Sequence, residues 1–269
     1  MSAADPDRDR RSAKDVEISP MYGVNVPSEP LTSGTLRKSK ERYPVLAAAC
    51  ALGLMLNSAF AAETAVDPQH PLAPALEHAY KAREALRDVG DYEALFSKRE
   101  LVGRKVTSST MRLKFRKEPY SVYMLFVKPH EGREVIYVNG KYNGMLLAHE
   151  TGIKSIAGTV SLATNSEDAM EDNRYPITMV GMHYMLDKVI EQWEFESQYG
   201  EVEVQYYPNA KLASSVTCKV IESKHPQPRK QFRFHMTRLF LDNNTGYPIR
   251  LEQHTFPDGN TKSILAEEY

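Results

Sequence analysis

The sequence predicts an α+β domain: a large antiparallel sheet, curled into a half-barrel and covered by two long helices. Three observations carry this. Two stretches repeat apolar residues at three- and four-residue spacing, most of the remainder alternates at a period of two, and turn-forming residues join the alternating runs. Hydrophobic residues make up 42% of the 269 residues and charged residues 26%, which are globular proportions. Lys+Arg total 34 against 35 Asp+Glu, a net charge of -1. No basic field exists to hold a polyanion, so nucleic acid is not expected as a partner. A mean hydropathy of -0.48 excludes a polytopic membrane protein.

The first helix is predicted over residues 74–90. Leu76, Ala79, Tyr80, Arg83 and Leu86 form one face, and Gly90 is placed to end it. The period then changes. Met111, Leu113 and Phe115 alternate with Arg112, Lys114 and Arg116, one face dry and one wet. Residues 120–127 are apolar at nearly every position, which predicts a strand covered on both faces. Residues 129–132 read as a turn and 134–138 as the partner strand. Asn139-Gly140 and Asn143-Gly144 are hairpin signals, followed by a strand over 145–148. Residues 155–164 are weakly patterned, and 166–174 read as a charged loop. The second helix is predicted over 175–195, with Pro176 in its first turn. Strands follow at 202–206, 212–222, 231–241, 248–256 and 262–269, giving eight to ten in all. A sheet of this size must bury one face. Two helices cover it only partly if it curls into a half-barrel, and the concave side is then either packed core or an apolar cavity.

Upstream of the domain the chain has a different character. Residues 1–42 carry charges of both signs and no apolar period, which predicts a disordered extension, and Met21 is an alternative start. Arg37, Lys38, Lys40 and Arg42 then precede the uncharged run 45–56 and Ala59-Phe60-Ala61. A positive region, a short apolar region and a small-residue site make residues 43–62 a signal peptide, or an uncleaved anchor. Residues 63–74 form a proline-dotted linker and 75–269 the folded domain. This predicts export to the periplasm or cell envelope. Of the two cysteines, Cys50 lies in the leader and Cys218 in an alternating strand, where it reads as a small core residue.

Catalytic signatures are missing from the sequence. No pair of histidines has metal-ligand spacing on a helix, and His149-Glu150 lacks the second histidine of a zinc-protease motif. No nucleophile elbow or glycine-rich phosphate loop occurs. The acidic pairs are Glu201/Glu203 and Glu267/Glu268, and the first reads as a solvated strand face. The basic face Arg112, Lys114, Arg116 and Lys117 reads as a wet outer surface. No catalytic residue, metal or cofactor is therefore expected. The remaining candidates are apolar. Phe115, Met124, Phe126, Met182, Leu186, Phe232, Phe234 and Met236 are expected to line a pocket for a flexible chain, because Met and Phe re-pack around such ligands.

Residues 119–149, PYSVYMLFVKPHEGREVIYVNGKYNGMLLAH, resemble an exported bacterial family of unknown function, number 1571. The run LFLDNNTGYPIRLEQHTF at 239–256 carries the likeness further, and it spans roughly residues 72–269. That family is similar to the outer-membrane lipoprotein carriers (LolA/LolB-like). The resemblance implies a lipoprotein-carrier-like half-barrel with a helical lid. Its ligand would be a lipid or a lipidated protein, met at a membrane surface or among envelope proteins. No catalytic residues transfer with it. An envelope hydrolase with a His/Asp site, and a structural module with a filled core, remain alternatives. A further tail is expected after the strand near Tyr269, so either that strand is a bare edge or the sequence is incomplete.

Overall fold

A computed structural model describes residues 66–213, 216–259 and 262–269, apart from the side chains at 154, 157 and 213. The expected N-terminal extension and the signal or anchor segment lie outside the described residues. Among the described residues no helix is long and apolar enough to cross a membrane.

The domain is one open sheet with helices on one face. The strands are β1 (Asp91–Val102), β2 (Lys105–Arg116), β3 (Ser121–Lys128), β4 (Glu134–Val138), β5 (Met145–His149), β6 (Thr159–Ala163), β7 (Glu203–Ala213), β8 (Val216–Lys224), β9 (Met236–Asp242), β10 (Pro248–His254) and β11 (Leu265–Glu268). The helices are α1 (Ala73–Ala85), the short α2 (Glu167–Met170) and α3 (Met182–Glu196). The 11 strands are ordered β6-β5-β4-β3-β2-β1-β11-β10-β9-β8-β7, and every described pairing is antiparallel. Register shifts interrupt the pairing of β2 with β3, of β7 with β8 and of β10 with both neighbours. Such bulges bend a strand and raise its twist.

Four expectations change. First, β11 is not an edge. It pairs with β1 on one side and β10 on the other, so both its hydrogen-bonding rows are used. Second, β6 forms where the sequence is weakly patterned, because its partner β5 supplies the apolar face that Leu162 joins. Third, the second helix starts at Met182, seven positions after Tyr175. Pro176 is extended (φ -67°, ψ 159°), and Gly181 has φ 126°, which no helical residue adopts. Fourth, the alternation at 231–235 forms no strand. It belongs to the excursion between β8 and β9, closed where the His225 N–H donates to the His235 carbonyl at 2.8 Å.

The helices meet along complementary faces. Helix α1 buries Leu76 together with Ala75, Ala79 and Ala82, whose small side chains allow close approach, and α3 buries Leu186, Val189, Ile190 and Trp193. Leu72, within the expected linker, is fully buried in the same cluster. The floor beneath is Ile221, Leu239, Leu241 and Leu251. His70 fixes the entry to α1: its Nδ1 accepts from the Leu72 N–H at 3.1 Å, so its Nε2–H donates to the Tyr199 carbonyl at 2.8 Å. On the opposite face Cys218 is buried beside Val220 and Phe240, as a small apolar residue. Arg112, Lys114 and Arg116 are exposed on that face of β2.

Candidate ligand-binding site

The helix-bearing face has two apolar areas and a polar row beside them. The first apolar area is the floor beneath α1 and α3. The second lies on β1–β3, where Met111, Leu113, Phe115, Val122 and Met124 are buried. Its cover is not an α-helix, and the one helical element in it is a single 3-10 turn at Ile177–Met179. The strap between α2 and α3, residues 171–181, lays Ile177 and Val180 over it. Tyrosines tie the strap down. The Tyr120 hydroxyl contacts the Ile177 carbonyl at 2.8 Å and the Val180 carbonyl at 2.9 Å, and accepts from the Val180 N–H at 3.1 Å. The Tyr92 hydroxyl accepts from the Met182 N–H at 2.9 Å. Burial pushes the Tyr92 phenol up to about 12 and raises Tyr120 as well, so both stay neutral. Gly181 is required by contact: a Cβ there would lie 2.6 Å from the Phe115 ring.

The polar row follows directly from strand register. Ser223 of β8 pairs with Thr237 of β9, Thr237 with Gln253 of β10, Gln253 with Glu267 of β11, Glu267 with Glu100 of β1, and Glu100 with Thr107 of β2. Side chains directly opposite on antiparallel strands share a face. Ser223, Thr237, Gln253, Glu267 and Glu100 are all buried, so each needs a partner. Helix α3 supplies some: the Trp193 indole N–H donates to Ser223 Oγ at 3.0 Å, Gln192 Nε2 to Thr237 Oγ1 at 3.1 Å, and Gln253 Nε2 to Gln192 Oε1 at 2.7 Å.

The two carboxylates are the expensive members, because like charges opposite each other in a dry site repel. The strap and β1 neutralise them. Lys98 reaches Glu100 at 2.7 Å, and the Arg174 N–H donates to the same carboxylate at 3.2 Å. Arg174 Nε lies 2.8 Å from Glu267. The Tyr175 hydroxyl contacts Glu267 at 2.9 Å and the Tyr269 hydroxyl donates to Glu100 at 2.5 Å. Burial raises the Glu267 carboxyl above the usual range, against the pull of Tyr175 and Arg174. In this way the carboxylates anchor the strap.

Beyond the row, His225 and Glu196 form a buried pair at 3.2 Å. His225 Nδ1 faces the Glu201 carbonyl at 2.8 Å, so both ring nitrogens meet acceptors and the doubly protonated form suits the site. Its ring stacks on Phe232 at 3.7 Å.

The expected lining residues therefore fall in different places. Phe115, Met124 and Phe126 come together under the strap. Leu186 and Met182 belong to the helix-covered cluster. Phe232 and Phe234 are buried in the excursion between β8 and β9, the first against His225 and the second beneath Arg233. Met236 pairs with Lys224 and His254, and lies three positions from Leu239 along an unbroken register, so it faces away from the helices. Sequence reading passed over Glu100, Arg174, Tyr175 and Tyr269 altogether. Glu267 and Glu268 were visible as an acidic pair, but they point to opposite faces, Glu268 to Arg250. Adjacent acids inside a short strand that ends in an aromatic residue were the available signal. Among the described residues no group of three or more His, Cys, Asp or Glu is arranged to hold a metal ion.

The profile of a family described as "Protein of unknown function (DUF1571)" matches residues 89–269. No curated protein matches the chain. Among solved structures it is similar to a putative outer membrane lipoprotein-sorting protein domain from Vibrio parahaemolyticus, at 12% identity over 70% of this chain and 74% of that chain, with a TM-score of 0.32. A DUF1329 family protein from Desulfovibrio piger matches at 11% identity over 72% and 77%, with a TM-score of 0.33. A LolA superfamily protein from Nitrosomonas europaea matches at 11% identity over 71% and 74%, with a TM-score of 0.25.

Proposed function

We propose that this chain, which belongs to the DUF1571 family of proteins of unknown function, is a non-enzymatic envelope protein that holds an apolar chain against its sheet. The ligand is an acyl chain of a lipid or of a lipidated protein, bound on β1–β3 beneath the strap. Residues 43–62 serve export as a signal peptide or anchor, and the ligand is exchanged with a membrane surface or an envelope protein, as carrier or sensor. The family resemblance seen in the sequence points the same way.

One observation carries the reading. The apolar floor of β1–β3 is covered by the 176–181 end of the strap, which two tyrosine hydroxyls tie down, and not by an α-helix. Lifting that end, with Arg174 and Tyr175 still moored to Glu100 and Glu267, loses a few hydrogen bonds, at about 1 kcal/mol each, plus the contacts of Ile177 and Val180. A chain of ~14 methylenes entering the same space gains about 10 kcal/mol at ~0.8 per methylene, before ordering costs. Ligand burial therefore outweighs the strap hydrogen bonds. Phe115, Met124 and Phe126 line this site directly. Met182 borders it through its N–H bond to Tyr92, and Leu186 lies in the neighbouring helix-covered cluster.

Native mass spectrometry of the chain purified from its host envelope tests this. An adduct with the mass of an acyl chain is expected, lost on mild delipidation and regained with added lipid. A clean unliganded mass in detergent-free buffer, with no uptake of added lipid, overturns it.

A further inference from the structure

We propose that Arg233 forms an oxyanion subsite for the headgroup of an amphiphile, at the polar end of the apolar site. The inference rests on the ligand reading above and adds the chemistry of the ligand's other end. It starts from a charge balance. The cluster around the polar row holds two carboxylates, Glu100 and Glu267, and three cations, Lys98, Arg174 and Arg233. Lys98 and Arg174 are committed to the carboxylates at 2.7 and 2.8 Å. Arg233 is the surplus. Among the described residues no carboxylate lies within ion-pair distance of it, although Glu267 attracts it from further away.

Arg233 is also held in place. Its Nη2 donates to the Tyr175 hydroxyl at 2.7 Å, and its guanidinium sits 5.7 Å from the Tyr175 ring centre and 5.0 Å from that of Phe234. Cation–π contact fixes a guanidinium while leaving its remaining N–H donors open. The residue is exposed, so those donors face a space that a ligand can enter. Tyr175 stays neutral, with its phenol pushed up to about 12, chiefly by burial, and offers no competing charge.

An aromatic track links this cation to the apolar floor. Tyr175 lies 6.4 Å from Tyr269, Tyr269 stacks at 6.3 Å on Phe96, and Phe96 packs on the cluster of β1–β3. Grease at one end and a preorganised, uncompensated guanidinium at the other match an acyl chain ending in a phosphate or carboxylate. A guanidinium binds such groups through paired N–H donors.

Calorimetric titrations separate the possibilities. Hexadecyl phosphate, hexadecanol and inorganic phosphate are each titrated into the chain and into Arg233→Gln and Arg233→Lys. The side chain is exposed, so both variants should fold, which circular dichroism checks. The expected result is hexadecyl phosphate binding about tenfold more tightly than hexadecanol. That preference should disappear in Arg233→Gln, survive in part in Arg233→Lys, and weaken with salt. Equal affinity for the two amphiphiles, or a preference untouched by Arg233→Gln, overturns the subsite and leaves the apolar site standing. Failure of both amphiphiles to bind overturns both readings. Inorganic phosphate binding as tightly as hexadecyl phosphate keeps the anion site and overturns the lipid as its source.

Discussion

Over β8–β10 the helix-bearing face meets α1 and α3, whereas over β1–β3 it meets the strap. The first half is closed by interlocking apolar side chains, with Trp193, Leu186 and Leu239 wholly buried. The second is closed by Ile177 and Val180 and by hydroxyl-to-backbone bonds from Tyr120 and Tyr92. Burial is non-directional and grows with area, while a hydrogen bond exchanged with water contributes little net stability. The contrast teaches that one sheet can be closed side by side by interlocked side chains and by hydrogen-bonded backbone. The polar row divides its attention between them, since α3 satisfies its β8–β10 members and the strap its β11 and β1 members.

The sharpest test removes the keystone of the helix-covered half. Trp193→Ala deletes a fully buried ring and the indole bond to Ser223, and is expected to destabilise the fold by about 3–5 kcal/mol, read from chemical denaturation. A loss below about 1 kcal/mol would show that this half is not the core. The strap half is probed at Gly181, where φ is 126° and an added Cβ meets the Phe115 ring. Gly181→Ala should displace the strap at an expected cost of about 1–3 kcal/mol. Hydrogen exchange should quicken at 177–182 but not in α1, and uniform quickening would mean that the two halves open together.

The smallest effect is pH dependence at the end of α3. Burial alone would lower the His225 pKa, but the Glu196 carboxylate and the Glu201 carbonyl outweigh it, and the net direction is upward. The pair's stabilisation is therefore complete below the ordinary histidine value of about 6.5 and fades as pH rises through the elevated folded value. Denaturation midpoints should fall less between neutral and mildly alkaline pH in His225→Gln than in the parent. Parallel profiles would remove the charge from the account.

The elements were legible in the sequence where one period dominates. The alternation of Met111, Leu113 and Phe115 gives β2 its dry face, because every second side chain of a strand points to the same side. Turn chemistry at Asn139-Gly140 located the β4–β5 connection. The strap was not legible. Its Ile177 and Val180 continue the helical spacing of α3, and only the backbone at Gly181 breaks the run. Nor was the polar row, since its members come from strands far apart in sequence and meet only through register. Phe234 and Met236 show the same limit from the other side. They alternate with Phe232 as strand residues would, but the excursion at 231–235 and the parity of β9 send them to different surroundings.

The position of β11 has a consequence for assembly. The strands β1–β6 form one ladder and β7–β10 another, and residues 265–268 supply the strand pairing that joins them. Each sub-sheet can zip up from neighbouring hairpins, but the seam stays open until residues 265–268 slot in. Glu267 and Tyr269 arrive in the same step, so the act that unites the ladders also delivers the groups that moor the strap.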